Sequence, residues 1–189
     1  MDNNLKIINY LGKHMSKPFT MHRLSKETKI PYATFHRTIN KIKDLIKVQT
    51  IGKSKVIVLN KDNIVIKSYL TISSEEEKKE YLKKQPIINK IMSELDTKDI
   101  VLLFGSYAKG SQKETSDIDL LIINKNGKKS ISFSKYEILF KKKINPIFVT
   151  KQEFKKMLYD KEENVGKQAL ISHVILNNSE KFWECVLYG

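Results

Sequence analysis

Residues 100–123 read IVLLFGSYAKGSQKETSDIDLLII. The apolar run from Ile100 to Phe104 predicts a buried strand, and Gly105-Ser106 mark a turn that opens a short helical segment. A polar loop follows, and then a second buried strand carrying Asp117 and Asp119. Gly105 allows the backbone to approach a ligand closely. Ser106 offers a hydroxyl and an amide, and N–H groups at such a strand-to-helix turn form an anion cradle suited to a triphosphate. Aspartates two apart on a strand project from one face, while Ile118, Leu120 and Ile122 point to the other. Two hard oxygen ligands side by side fit Mg²⁺ or Mn²⁺, and a metal pair so held can activate an attacking oxygen and stabilise a leaving pyrophosphate. Either half of this pattern is weak by itself. Their juxtaposition, each half tied to an apolar strand, is much more specific.

The segment GSYAKGSQKETSDIDLLI resembles the signature of the DNA polymerase beta nucleotidyltransferase superfamily, and within it the minimal nucleotidyltransferases. Gly105, Ser106, Gly110, Ser116, Asp117 and Asp119 fall on that pattern, with Lys109 where the family more often has Arg. The resemblance implies a nucleotidyltransferase-fold domain over residues 80–189, a small mixed β-sheet flanked by helices. It also implies nucleotide binding by Gly105, Ser106, Lys109 and Ser116, with Asp117 and Asp119 as catalytic metal ligands. The expected substrate is an NTP, with ATP the first choice. The family's third carboxylate lies on a later strand, here KKINPIFVT, where Asn145 takes its place. An amide carries no charge and cannot serve as a general base, so Glu137 and Glu153 are the candidates to replace it.

Ahead of this region the chain changes character. Residues 1–72 hold 14 Lys+Arg against 4 Asp+Glu, within a chain of 189 residues whose formal charge is +14. Concentrated basic charge attracts a polyanion, nucleic acid being the commonest. Leu5, Ile8 and Leu11 recur at helical spacing. Thr20 is placed to cap MHRLSKET, and Pro31 starts PYATFHRTINKIKDLI, in which Phe35, Ile39, Ile42 and Ile46 form an apolar stripe. VQTI and KVIVLN read as strands joined by a tight turn. Helix, helix-turn-helix and hairpin is the winged-helix order, and residues 1–60 resemble the winged helix-turn-helix regulators of archaea and bacteria. The DNA-contacting candidates are Thr34, His36, Arg37, Asn40 and Lys41 on the third helix, with Lys53 and Lys55 on the hairpin.

Residues 61–79 read as a helical connector, with Ser73-Ser74 capping the charged run EEEKKEYLKK, and the tail after residue 150 reads as two or three helices. One cysteine, Cys185, excludes an internal disulfide. No apolar run is long enough to span a bilayer, so no membrane is expected and the chain is expected in the cytoplasm. The fold class is therefore α+β, a winged helix-turn-helix followed by a nucleotidyltransferase fold. The functional expectation is nucleotidyl transfer from an NTP to an acceptor, a protein among the candidates, with double-stranded DNA as partner and a homodimer allowed. The alternative is a DNA-binding transcriptional regulator or antitoxin, paired with a toxin, whose second domain binds nucleotide or partner without catalysis.

Overall fold

A computed structural model describes residues 1–52 and 54–188. The chain divides into two compact units, Met1–Glu76 and Glu77–Gly189, of mixed helical and strand structure.

The first unit begins with α1 (Asn3–Lys13), capped by Asp2, which accepts the Leu5 N–H at 2.8 Å. β1 (Phe19–Thr20) leads into α2 (Met21–Glu27), capped by the Thr20 hydroxyl. A turn at Lys29, held by the Ser25 hydroxyl on the Ile30 carbonyl, leads to α3 (Tyr32–Lys41). β2 (Ile46–Ile51) and β3 (Ser54–Leu59) form an antiparallel hairpin, and β1 adds to β3. Ile7, Ile8, Leu11, Leu24, Phe35, Ile39 and Ile57 fill the core. The helical stripe expected to reach Ile46 stops short. A 3₁₀ turn at Lys43–Leu45 follows α3, and Ile46 pairs with Leu59 as the first residue of β2. The β-branched content of IKVQTI and the waiting ladder of β3 outweigh the helical spacing.

α4 (Ile66–Lys84) runs unbroken through Ser73 and Ser74, so these serines do not start a helix. Both are fully buried, and the Ser73 hydroxyl donates to the Leu70 carbonyl. Such back-bonding lets a serine sit inside a helix. The division between the two units falls within this helix.

In the second unit α5 (Pro86–Ser93) has proline in its first turn, where a missing N–H costs nothing. Then come β4 (Ile100–Phe104), α6 (Gly105–Lys109), β5 (Ile118–Asn124), α7 (Ser134–Phe140), β6 (Ile144–Thr150), α8 (Lys151–Tyr159), α9 (Val165–Ile171), β7 (Val174–Asn177) and α10 (Ser179–Leu187). The tail thus contains a strand where only helices were expected. Its four residues, VILN, lie between two helical stretches, and burial along Val174–Leu176 removes the alternation that marks a strand. The sheet order is β6-β5-β4-β7, with β6 parallel to β5 and the other pairs antiparallel. Val101, Leu103, Ile118, Leu120, Ile122, Ile144 and Val174 present one face to Ile88 and Ile91 of α5 and to Tyr107, Phe133 and Tyr136. Leu102, Leu121, Ile123 and Ile175 have the opposite parity and are also buried. α8, α9 and α10 pack on the strands there, with the Phe182 ring in contact with both Phe154 and Trp183.

β6 is an edge strand. The Lys143 carbonyl accepts the Ile118 N–H, so Ile144, Pro146, Phe148 and Thr150 turn their backbone groups away from β5. Glu137 takes the Ile144 N–H at 2.9 Å, Pro146 has none, and Glu153 takes the Thr150 N–H at 2.7 Å as part of a capping box. Among the described residues no helix is long and apolar enough to cross a membrane.

Candidate active site

The antiparallel ladder of β4 and β5 places Phe104 opposite Asp119, and Gly105 follows with φ +69°. A Cβ at Gly105 would lie 2.2 Å from Asp119 Oδ2 and 3.1 Å from its Cγ. Only glycine leaves room for this carboxylate, and only glycine takes that φ without strain. α6 then carries half-buried Ser106 and exposed Lys109 on its single turn and ends at Gly110, whose φ is +67°. Tyr107 anchors the turn in the core, and the Tyr81 hydroxyl of α4 donates to its carbonyl at 3.1 Å. Burial pushes both phenols above their ordinary range, so both stay neutral donors. The loop to β5 is closed by Ser116, whose hydroxyl accepts the Lys113 N–H at 2.9 Å while its own N–H donates to the Lys113 carbonyl.

The parallel register of β5 and β6 sets Asn145 directly opposite Asp119. The Asn145 Nδ2 group donates to Asp117 Oδ2 at 3.1 Å and to Asp119 Oδ1 at 3.3 Å. Lys143, two residues before Asn145 and immediately ahead of β6, places its Nζ 3.6 Å from Asp117 Oδ2. The two carboxylates therefore meet on one amide with one ammonium beside them. Sequence reasoning passed over Lys143; the register that puts Asn145 opposite Asp119 would have found it. Glu137 and Glu153 are engaged elsewhere, on the Ile144 and Thr150 N–H groups at the outer edge of β6, so neither replaces a third carboxylate here.

The donor set suits a hard divalent cation: two carboxylates, with the Asn145 carbonyl oxygen available if its amide turns over. An amide donor and a cation answer the same electrostatic need, which is to hold two like charges together. Among the described residues no group of three or more His, Cys, Asp or Glu side chains gathers around a metal-sized space. Asp117 and Asp119 would hold a metal with help from substrate oxygens, as magnesium commonly is held.

In the first unit, His36, Arg37, Asn40 and Lys41 are exposed on α3, Thr34 is half-buried, and Phe35, Thr38 and Ile39 form the inner side. Lys55 is exposed on β3, and Lys53 lies outside the described residues. Cys185 is buried, and burial pushes its thiol up, away from the reactive thiolate.

The nucleotidyltransferase domain family matches residues 85–179, a span that includes Gly105, Asp117, Asp119 and Asn145. A protein of Methanocaldococcus jannaschii named "Putative protein adenylyltransferase" is 38% identical over 78 residues, which cover 38% of this chain and 78% of the relative. No solved structure matches the chain.

Proposed function

Because the chain belongs to the nucleotidyltransferase domain family, we propose that residues 80–189 transfer a nucleotidyl group from a nucleoside triphosphate, ATP by preference, to a hydroxyl group of a protein. The meeting of Asp117 and Asp119 on Asn145, against the bare Cα of Gly105, carries this reading. The name of the Methanocaldococcus jannaschii relative supports adenylate as the group moved and protein as the acceptor. Asp117 and Asp119 would hold magnesium or manganese, which would supply positive charge to the phosphates and the attacking oxygen.

Ser106 and the amides opening α6 face the triphosphate, and Lys109 adds a charge from the last residue of α6. Ser116 shapes the loop by accepting the Lys113 N–H, and its own O–H is left to donate to a phosphate oxygen. The acceptor oxygen attacks the α-phosphorus, and the new P–O bond forms as the bond to the bridging oxygen breaks, releasing pyrophosphate. The hydroxyl proton must leave. Asn145 positions both carboxylates but accepts no proton, so it departs to water and transfer is slow. Single-turnover release of pyrophosphate and transfer of label from α-labelled ATP to protein test this in wild type and Asn145→Asp. General-base assistance is worth about 10²–10⁴-fold, so Asn145→Asp is expected to accelerate transfer within that range. Fast wild-type turnover that the substitution leaves unchanged would refute the role given to Asn145.

For residues 1–60 the proposal is a winged helix-turn-helix that binds double-stranded DNA. Exposed Arg37, Asn40 and Lys41 on α3 and Lys55 on the hairpin support it, together with the basic balance of this part of the chain. One observation favours a second reading, a regulator or antitoxin that binds nucleotide without transfer: the uncharged Asn145 stands where a base would work. ATP binding with no pyrophosphate from wild type or Asn145→Asp would select it.

A further inference from the structure

The sheet of the second unit has a second chemically distinctive end. Along β5, Asp119 and Asn124 stand about 17 Å apart at roughly 3.3–3.4 Å per residue. Beyond its far end lies a cavity of about 610 Å³ whose wall includes Lys98, Asp99, Lys125, Lys151 and Lys181. These lysines come from four separate segments: the approach to β4, the exit of β5, the start of α8 and the first turn of α10. None of the four makes an ion pair among the described residues. The one acid in the wall, Asp99, accepts a hydrogen bond from the Ser130 hydroxyl.

Three asparagines hold this wall in place. Asn177 Nδ2 donates to the Thr97 carbonyl at 3.0 Å and to the Asp99 carbonyl at 2.8 Å, and Asn178 Nδ2 donates to the Lys98 carbonyl at 2.6 Å. Asn178 takes φ +57° and spends its amide here instead of capping α10 with its side chain. On the other side Asn124 organises the turn after β5. Its Oδ1 accepts the Gly127 N–H at 2.8 Å, and its Nδ2 donates to the Lys128 carbonyl at 2.8 Å. The backbone that presents Lys98 and Lys125 is therefore fixed before any ligand arrives, which lowers the entropy cost of binding.

We propose that this cavity is a second binding site, separate from the aspartate pair, for a compact phosphorylated small molecule such as a nucleotide or a short polyphosphate. Four lysines at one concavity, none of them ion-paired among the described residues, match a ligand carrying several phosphate charges. The volume lies within the roughly 300–1,000 Å³ of small-molecule pockets, and lysines from four separate segments converge on this one hollow, which favours a compact ligand over a nucleic-acid backbone. The inference does not depend on transfer activity.

The test is titration of the full chain with inorganic tripolyphosphate in EDTA, so that no metal supports binding at Asp117 and Asp119. Amide resonances are followed in parallel. One saturable site is expected, with shifts at residues 98–100, 123–125 and 150–152. Single Lys125→Glu and Lys181→Glu substitutions, both at exposed positions, should each weaken it more than tenfold, while Lys161→Glu and Asp117→Asn should leave it unchanged. Shifts confined to residues 105–109, absence of saturation, or equal weakening by Lys161→Glu would overturn the proposal. A single-stranded oligonucleotide that displaces tripolyphosphate and binds these residues more tightly would overturn it in favour of a nucleic-acid groove.

Discussion

Replacing Gly105 with alanine tests the construction of the candidate site, because Gly110 provides an internal control. Both glycines sit at nearly the same positive φ, +69° and +67°, so alanine pays the same backbone strain at each, about 1–2 kcal/mol. Their surroundings differ. A Cβ at Gly110 meets nothing within 4 Å, whereas at Gly105 it lands 2.2 Å from Asp119 Oδ2. Forced overpacking of that kind adds about 1–3 kcal/mol, so Gly105→Ala should lose about 2–5 kcal/mol against about 1–2 for Gly110→Ala. The lone tryptophan, Trp183, is fully buried in the second unit, and its fluorescence reports unfolding of the unit that holds both glycines. With a slope of about 1.5 kcal/mol per molar urea, an extra 2 kcal/mol separates the two midpoints by more than 1 M. The displaced carboxylate should also weaken Mn²⁺ binding, read from the loss of the free-ion paramagnetic resonance signal. Equal midpoint shifts for the two variants, with Mn²⁺ binding intact in Gly105→Ala, would refute the claim that Gly105 exists to make room for Asp119.

Lys143→Met removes the ammonium that competes for Asp117, and since exposed pairs are worth about 0.2–1 kcal/mol it should tighten Mn²⁺ binding by up to about fivefold; unchanged or weaker binding would count against that competition. Arg37→Ala should cost about 1–3 kcal/mol of DNA affinity and relax preference at one base pair, while Lys55→Ala should weaken binding to all sequences alike. Wild-type DNA affinity should fall with salt at a log–log slope of about −0.9 per phosphate contacted, and salt-independent binding would exclude the interface. Hydrogen bonds from Lys90 and Lys135 hold the Glu94 carboxyl down to about 2 from an ordinary 4.5. Because the folded value is the depressed one, the stabilisation is full above about pH 4.5 and drains away as pH falls through about 2. The wild-type advantage over Glu94→Gln in urea midpoint should therefore be present at pH 7 and gone near pH 2.

Gly105, Asp117 and Asp119 could be found in the sequence because each adjoins an apolar strand whose pattern fixes its face. Asn145 is placed by the resemblance, whose third carboxylate lies on a later strand, and the parallel register of β5 and β6 sets it opposite Asp119. The use made of Glu137 and Glu153 could not be read, since it depends on which backbone N–H groups an edge strand leaves over, a property of strand order and not of local spacing. Ser73-Ser74 misled for a related reason: a serine pair before acidic residues has the composition of a cap, and only its burial shows a helix already under way. β7 escaped notice because four residues buried without alternation between helices carry no periodic signal.

The occupied donors along β6 also limit how macromolecules can meet this domain. A neighbouring copy that adds its own strand beside Asn145 finds Glu137 on the Ile144 N–H, no N–H at Pro146 and Glu153 on the Thr150 N–H, which leaves Phe148 as the outward-facing donor. An extended polypeptide meets the same shortage of donors at this edge. Open-ended stacking, in which each molecule would shield the aspartates of the next, is disfavoured at that edge, and the opposite edge offers the four residues of β7. A macromolecule that approaches across β6 therefore gains little from backbone pairing and is held mainly through side chains.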